Sequence, residues 1–291
     1  MGFLKTLFSG KVETAEEQKH NEEERKFNIL KFDGVKALKT HQMEQAERCF
    51  KAALEIKDDM ESHDYLSQVY INSGQLEEAM QELSLLLRSE PDNQQLLMRM
   101  VQVAFMMEDY PQMEQLCQQA IAVEGSNSMF KYMYAQAKQK TSQPEEALEL
   151  IESAIRESES NHAAGEGKNA TARMLKTELL LSLNRNDEAL SEAQRLAELL
   201  PDNEDVLMLM AKALHANGQT QQAIDTYGQV TELNPFSAQA YKERAVLRKA
   251  LGDEAGAAED LQQANDIQPE GETEDIEQQV NQAYKNANPF G

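Results

Sequence analysis

The chain has 291 residues, 51 of them acidic against 28 basic, for a formal net charge of −23. That balance excludes nucleic-acid binding, because phosphate contacts need a basic stripe and none is present; the surplus acid reads as Glu on outward helix faces that keeps a long array soluble, or as a surface that steers a basic partner. Aromatic residues make up 6% with no Trp, charged residues 27% and apolar ones 41%, which suits a helical chain with an interior of Ala, Leu and Met.

In chain order, the first eight residues, Met-Gly-Phe-Leu-Lys-Thr-Leu-Phe, do not combine the basic start, sustained apolar run and small-residue cleavage site of a secretory leader. No later stretch approaches the length needed to span a bilayer, and no cysteine lies near the amino terminus to carry a lipoprotein anchor. Gly2 and Thr6 match the minimal N-myristoylation pattern. Phe3, Leu4, Leu7 and Phe8 suit an apolar face of two helical turns that docks on a partner, a membrane surface or the rest of the chain; a frayed terminus is the alternative. Residues 13–26, rich in Glu and Lys, read as a charged linker or a solvated helix leading into Phe27.

From Phe27 onward one pattern recurs with a period of about 34 residues. Its marker, usually a small residue, falls at Ala46, Ala79, Met113, Ala147, Ala189, Ala223 and Ala257, at spacings of 33, 34, 34, 42, 34 and 34. The clearest copies continue as Ala223, Tyr227, Val230, Pro235 and Ala257, Leu261, Ala264, Pro269. Repeats run over approximately 27–59, 60–93, 94–127, 128–161, 170–203, 204–237 and 238–271. Each reads as two amphipathic helices, since apolar residues recur at three- and four-residue steps and never alternate over a strand's length. In the sixth, Val206, Leu207, Leu209, Met210 and Leu214 form one stripe, and Ala223, Ile224, Tyr227 and Val230 the next. Gly218, like Gly74 and Gly252, sits where a helix C-cap needs a left-handed residue. Pro91 and Pro201 stop a helix, and the Asp-Asn after each supplies a cap for the next.

The eight-residue excess around 158–169 contains Gly165 and Gly167. It reads as a loop dividing four amino-terminal repeats from three carboxy-terminal ones, or as flanking helices longer by a turn or two. After Pro269, Ile276, Val280, Ala283 and Tyr284 form a stripe suited to a capping helix over 272–287 that covers the last apolar face, followed by a tail at 288–291. Cys49 and Cys117 lie too far apart for a bridge in a stacked array and read as buried thiols, which fits a reducing, cytoplasmic compartment. His20, His41, His63, His162 and His215 have no ligand spacing, and the glycines form no phosphate cradle. Neither a metal, a cofactor nor an enzymatic activity is therefore expected.

These features together resemble the tetratricopeptide repeat (TPR) family, over about 245 of the 291 residues. The family's small eighth place is occupied by Gly34, Ser67, Val101, Ala135, Thr177, Ala211 and Ala245. Departures are Met113 and Cys117 for Ala and an aromatic, and Asp58, Gly125 and Glu159 for proline. The resemblance implies an all-α fold, a right-handed superhelical solenoid of about seven helix-turn-helix units with a C-terminal capping helix, acting as a protein-interaction module. It further implies that the first helix of each repeat lines a concave groove. Reading the groove places gives Met98, Phe105, Met129, Tyr132, Met174, Leu181, Met208, Lys212 and Lys242, a methionine-rich surface suited to an adaptable peptide or helix partner. Packing of those methionines between helices is the competing reading. The family's carboxylate clamp is not matched, since Lys31, Val35, Tyr65, Gln95 and Arg99 occupy its places. The alternative to groove capture is a scaffold that self-associates, or an adaptor at a membrane surface, through Phe3, Leu4, Leu7 and Phe8.

Overall fold

The computed structural model describes residues 14–123, 128–160 and 169–269. The expectations for Phe3, Leu4, Leu7 and Phe8, for nearly all of the 162–169 insertion and for a cap over 272–287 lie outside the described residues. Among those described there are fourteen α-helices and no strand. The chain forms two compact units, residues 1–137 and 138–291.

In the first unit α1 (Ala15–Lys39), α2 (Met43–Leu54), α3 (Met60–Asn72), α4 (Leu76–Ser89), α5 (Gln94–Met106) and α6 (Tyr110–Ala122) each pack on the next. Along α7 (Ser128–Lys140), Phe130 and Ala137 join the same apolar cluster as α5 and α6. The charged stretch before Phe27 is helix, not linker. Thr14 caps it by accepting from the Glu17 amide, while the Glu17 side chain accepts from the Thr14 amide. Such a reciprocal cap, with Glu16 and Glu17 against the helix dipole, holds a solvated helix without a buried face.

The second unit stacks α8 (Pro144–Ser160), α9 (Ala170–Ser182), α10 (Asn186–Leu199), α11 (Glu204–Ala216), α12 (Thr220–Leu233), α13 (Ala238–Ala250) and α14 (Glu254–Ile267) in the same manner. At 17 residues α8 is longer than α10 and α12, which have 14 each. The division between the units falls inside α7 and not at the insertion. The insertion's flanks are tied together instead: Ser158 Oγ donates to Asn169 Oδ1 at 2.7 Å, and Arg173 donates to both Glu159 and Glu192. Those bonds join the end of α8 to α9 and α10.

Every helix-to-helix turn within a pair uses one left-handed residue. Gly74, Gly218 and Gly252 hold φ of +72°, +81° and +86°, and His41, Glu108, Ser142 and Asn184 take the same place with φ of 55–60°. Each turn is closed by an amide reaching back over the cap, as in Gln75 to Tyr70 and Gln219 to Leu214, both 2.9 Å; this is the Schellman arrangement. Asn93 and Asn203 cap α5 and α11 through their side-chain oxygens, as the residues after Pro91 and Pro201 lead one to expect.

The small eighth places are all buried. Their size is set by the facing helix: a Cβ on Gly34 would meet the Phe50 ring at 2.8 Å, closer than packing tolerates. The large place of the second helices is filled by Phe50, Leu83, Cys117, Ile151 and Tyr227, all buried. Its last occupant differs, since Leu261 is 52% exposed where Tyr227 is 2% exposed. Burial pushes the Cys117 thiol up to about 12, with Glu114 adding to the effect, so the thiol acts as a small apolar side chain.

Candidate functional site

Each first helix turns one stripe into the second helix of its pair, and the groove places expected from the sequence fall on an outer stripe. In the first unit Met98 and Phe105, seven residues apart on α5, share that outer stripe, and Met129 and Tyr132 share the one on α7. Phe105 is 40% and Met129 48% exposed. Met98 and Tyr132 are half-buried, and Met98 packs against the apolar cluster around Leu97 and Met100. The two readings of these residues thus divide by position: Phe105 and Met129 face outward, and Met98 also serves the packing.

In the second unit Met174 and Leu181 of α9 are half-buried against Leu196, Val206 and Leu209. Met208 of α11 is half-buried against the cluster of Leu207, Ala211 and Tyr227. Lys212 is exposed and Lys242 half-buried. Neither lysine has an ion-pair partner among the described residues, in contrast to Lys138, Arg173 and Arg244 of the same unit.

Residue-type reasoning missed the charge pairing on the first-helix face of the first unit. Lys31 Nζ lies 2.9 Å from Asp59 and 2.6 Å from Glu61. Burial alone would lower the pKa of this ammonium, but the bonds to Glu61 and Asp59 outweigh it and hold the group above its ordinary value. Arg99 donates to Asp64 across from α5 to α3. Beside them an open depression of about 710 Å³ is lined by Met60, Glu61, Asp64, Gln68, Gln95 and Arg99, among others. The cations at the clamp places are therefore held by the chain's own carboxylates, and the depression mixes Met60, Leu86 and Leu96 with charged and amide side chains. The signal available in the sequence was the acid at Asp59, Glu61 and Asp64, 28 to 35 residues from its cations, and nothing local ties such pairs together.

No helix among the described residues is long and apolar enough to cross a membrane. Tetratricopeptide repeat models match residues 65–93, 132–204 and 180–247. Among curated proteins none matches the chain. Among solved structures, a tetratricopeptide repeat protein from Parabacteroides merdae superimposes with a TM-score of 0.65 at 15% identity, over 86% of this chain and 96% of that one. MamA from Desulfovibrio magneticus gives 0.55 at 13%, over 62% and 97%. YrrB, described as a TPR protein with an unusual peptide-binding site, gives 0.51 at 18%, over 65% and 93%. At these identities the likeness concerns the fold.

Proposed function

Because the chain belongs to the tetratricopeptide repeat family, and is thereby a protein-interaction module, we propose that it captures a peptide or an amphipathic helix on the outer stripes of its first helices. The observation that carries this reading is the pair Phe105 and Met129, exposed at groove places beside half-buried Met98 and Tyr132. Met174, Leu181 and Met208 form the corresponding surface of the second unit. Thioether side chains repack around different shapes, which suits capture of more than one sequence. The peptide site that gives YrrB its description is a precedent on the same fold. Free Cys49 and Cys117 support a reducing compartment.

The test is a pull-down from native cell extract, read by mass spectrometry, with wild type and two variants. Replacing Met98, Tyr132, Met174 and Met208 with Ser is expected to abolish recovery of the partner. Phe105→Ser with Met129→Ser alters exposed groups alone and is expected to weaken recovery with helicity unchanged by circular dichroism. Equal recovery by both variants sinks the reading.

A second reading is self-association through Phe3, Leu4, Leu7 and Phe8, which lie outside the described residues; exposed Ile29 and Phe32 on α1 add apolar surface in the same part of the chain. Light scattering on the full chain and on one lacking residues 1–12 checks it, and a monomer in both cases removes it.

A further inference from the structure

The depression on the first-helix face of the first unit has a lining that selects what can enter it. Its apolar part is Leu86 and Leu96, both buried, with Met60 43% exposed beside them. On α3, Glu61, Asp64 and Gln68 stand at i, i+3 and i+7, hence on one stripe. Glu90 lies at the C-cap of α4, and Arg99 reaches from α5 to bond Asp64. Three carboxylates thus share the depression with one cation, and adding the adjoining Asp59 and Lys31 leaves four against two. Glu90 is exposed, accepts from the Asn93 side-chain amide at 2.6 Å, and has no cation partner among the described residues.

That mixture narrows the chemistry of an occupant. An acidic group would meet unbalanced like charge. A metal ion needs several ligands converging on one point, and no group of His, Cys, Asp or Glu among the described residues is arranged to hold one. A wholly apolar side chain would cover Leu86 and Leu96 but strip water from Asp64 and Glu90 with nothing in its place. An Arg or Lys side chain satisfies both parts, its methylene stem lying on the apolar residues while its cationic head meets the carboxylates. The chain already uses this pairing for its own Lys31 and Arg99.

We propose that this depression receives a Lys or Arg side chain of the captured peptide, Asp64 and Glu90 taking the cationic head and Met60, Leu86 and Leu96 the stem. The proposal rests on the peptide-capture reading and adds the partner's charge: the first unit takes basic segments and rejects acidic ones. Exposed ion pairs add little affinity each, so the depression acts on the choice between partners more than on the strength of binding.

Selection of a random peptide library displayed on phage, against the full chain and two variants, tests it. Glu61→Gln, Asp64→Asn and Glu90→Gln together neutralise the depression. Glu198→Gln, Glu232→Gln and Glu259→Gln together remove the same charge from exposed positions of α10, α12 and α14, which controls for attraction by net charge alone. Lys and Arg should be enriched by the wild type and by the control variant, and not by the neutralised one. In the strongest-bound peptide, changing its Lys or Arg to Gln should weaken binding to the wild type about three- to tenfold by fluorescence anisotropy, and leave binding to the neutralised variant unchanged. The change in the peptide needs no altered protein, so that arm stands even where the neutralised variant folds poorly. Enriched peptides with no basic preference overturn the proposal and leave peptide capture standing. So does a preference that survives neutralisation or is lost equally in the control variant, and so does a loss under about twofold for the altered peptide. Absence of any enriched peptide removes the peptide-capture reading and the proposal with it.

Discussion

In the first unit the interior around Leu97, Met113 and Phe130 is apolar, and the buried polar side chains among the described residues are Ser62 and Ser67 alone. The second unit buries Lys138, Arg173 and Asp260. Arg173 bridges Glu159 and Glu192, and Asp260 receives two hydrogen bonds from Arg244, of 2.6 and 2.9 Å, and one of 3.0 Å from Arg248. No buried side-chain polar atom in the described residues lacks a partner. The same helix hairpin is thus held in two ways. Apolar packing tolerates small shifts of its members, whereas a buried ion network repays its desolvation only while every partner is present.

The largest effects should break that contrast directly. Asp260→Ala leaves Arg244 without a carboxylate, beside an Arg248 that keeps only Asp253, and is expected to cost about 3–5 kcal/mol in urea unfolding. Phe50→Ala in the first unit should cost a similar amount, about 3–5 kcal/mol, by cavity formation. The two are told apart by added salt, which should recover part of the Asp260→Ala loss and none of the Phe50→Ala loss. A cost below about 1 kcal/mol for Asp260→Ala would mean that the network does not hold the last helix pair.

A smaller effect sharpens the comparison at the turns, where both units obey one rule. Gly218→Ala forces a Cβ into the left-handed region and should lose about 1 kcal/mol, although nothing lies within 4 Å of it. Glu108→Gly relieves the same strain in the first unit and should gain about 0.5 kcal/mol, less than the full relief because glycine widens the unfolded ensemble. Equal midpoints for wild type and both variants would show that the positive φ carries no cost here.

The smallest effect concerns pH in the first unit. His63 lies 2.5 Å from Glu82 and 2.9 Å from Asp58. Burial pulls its pKa down, but the hydrogen bonds to Glu82 and Asp58 outweigh burial and leave it above the ordinary histidine value. Its contribution is therefore full below its unfolded-state pKa and lost as pH rises through the folded one. The difference in melting temperature between wild type and His63→Gln should shrink as pH is raised above about 6.5. A difference that grows over that range contradicts the assignment.

Several of these features were legible in the residues. The glycines at 74, 218 and 252 announce left-handed turns, and the register transfers that conformation to His41, Glu108, Ser142 and Asn184, whose own types do not signal it. The helix over residues 15–26 was ambiguous because charge without periodicity suits linker and solvated helix alike, and the Thr14 cap decides it. The methionines at groove places were readable as positions, but their exposure was not. Met98 and Met129 are the same residue type at neighbouring places, and only the closeness of the adjacent helices makes one half-buried and the other open. Nothing local marks Asp260 and Arg173 as interior charges, because their partners lie 16 and 19 residues away on another helix.

What the sequence determined by itself is the repeating part: the period, the two stripes per repeat, the small residues where helices touch and the caps that end them. Each of these is local, set by side-chain volume, φ preference or a hydrogen bond over three or four residues, so the same rule can be read in every copy. The tertiary structure alone decided which charges go inside and which apolar side chains remain outside. Burial depends on what a neighbouring helix brings within reach, and a charge becomes an interior residue only when its counter-ion arrives from a distant point in the chain.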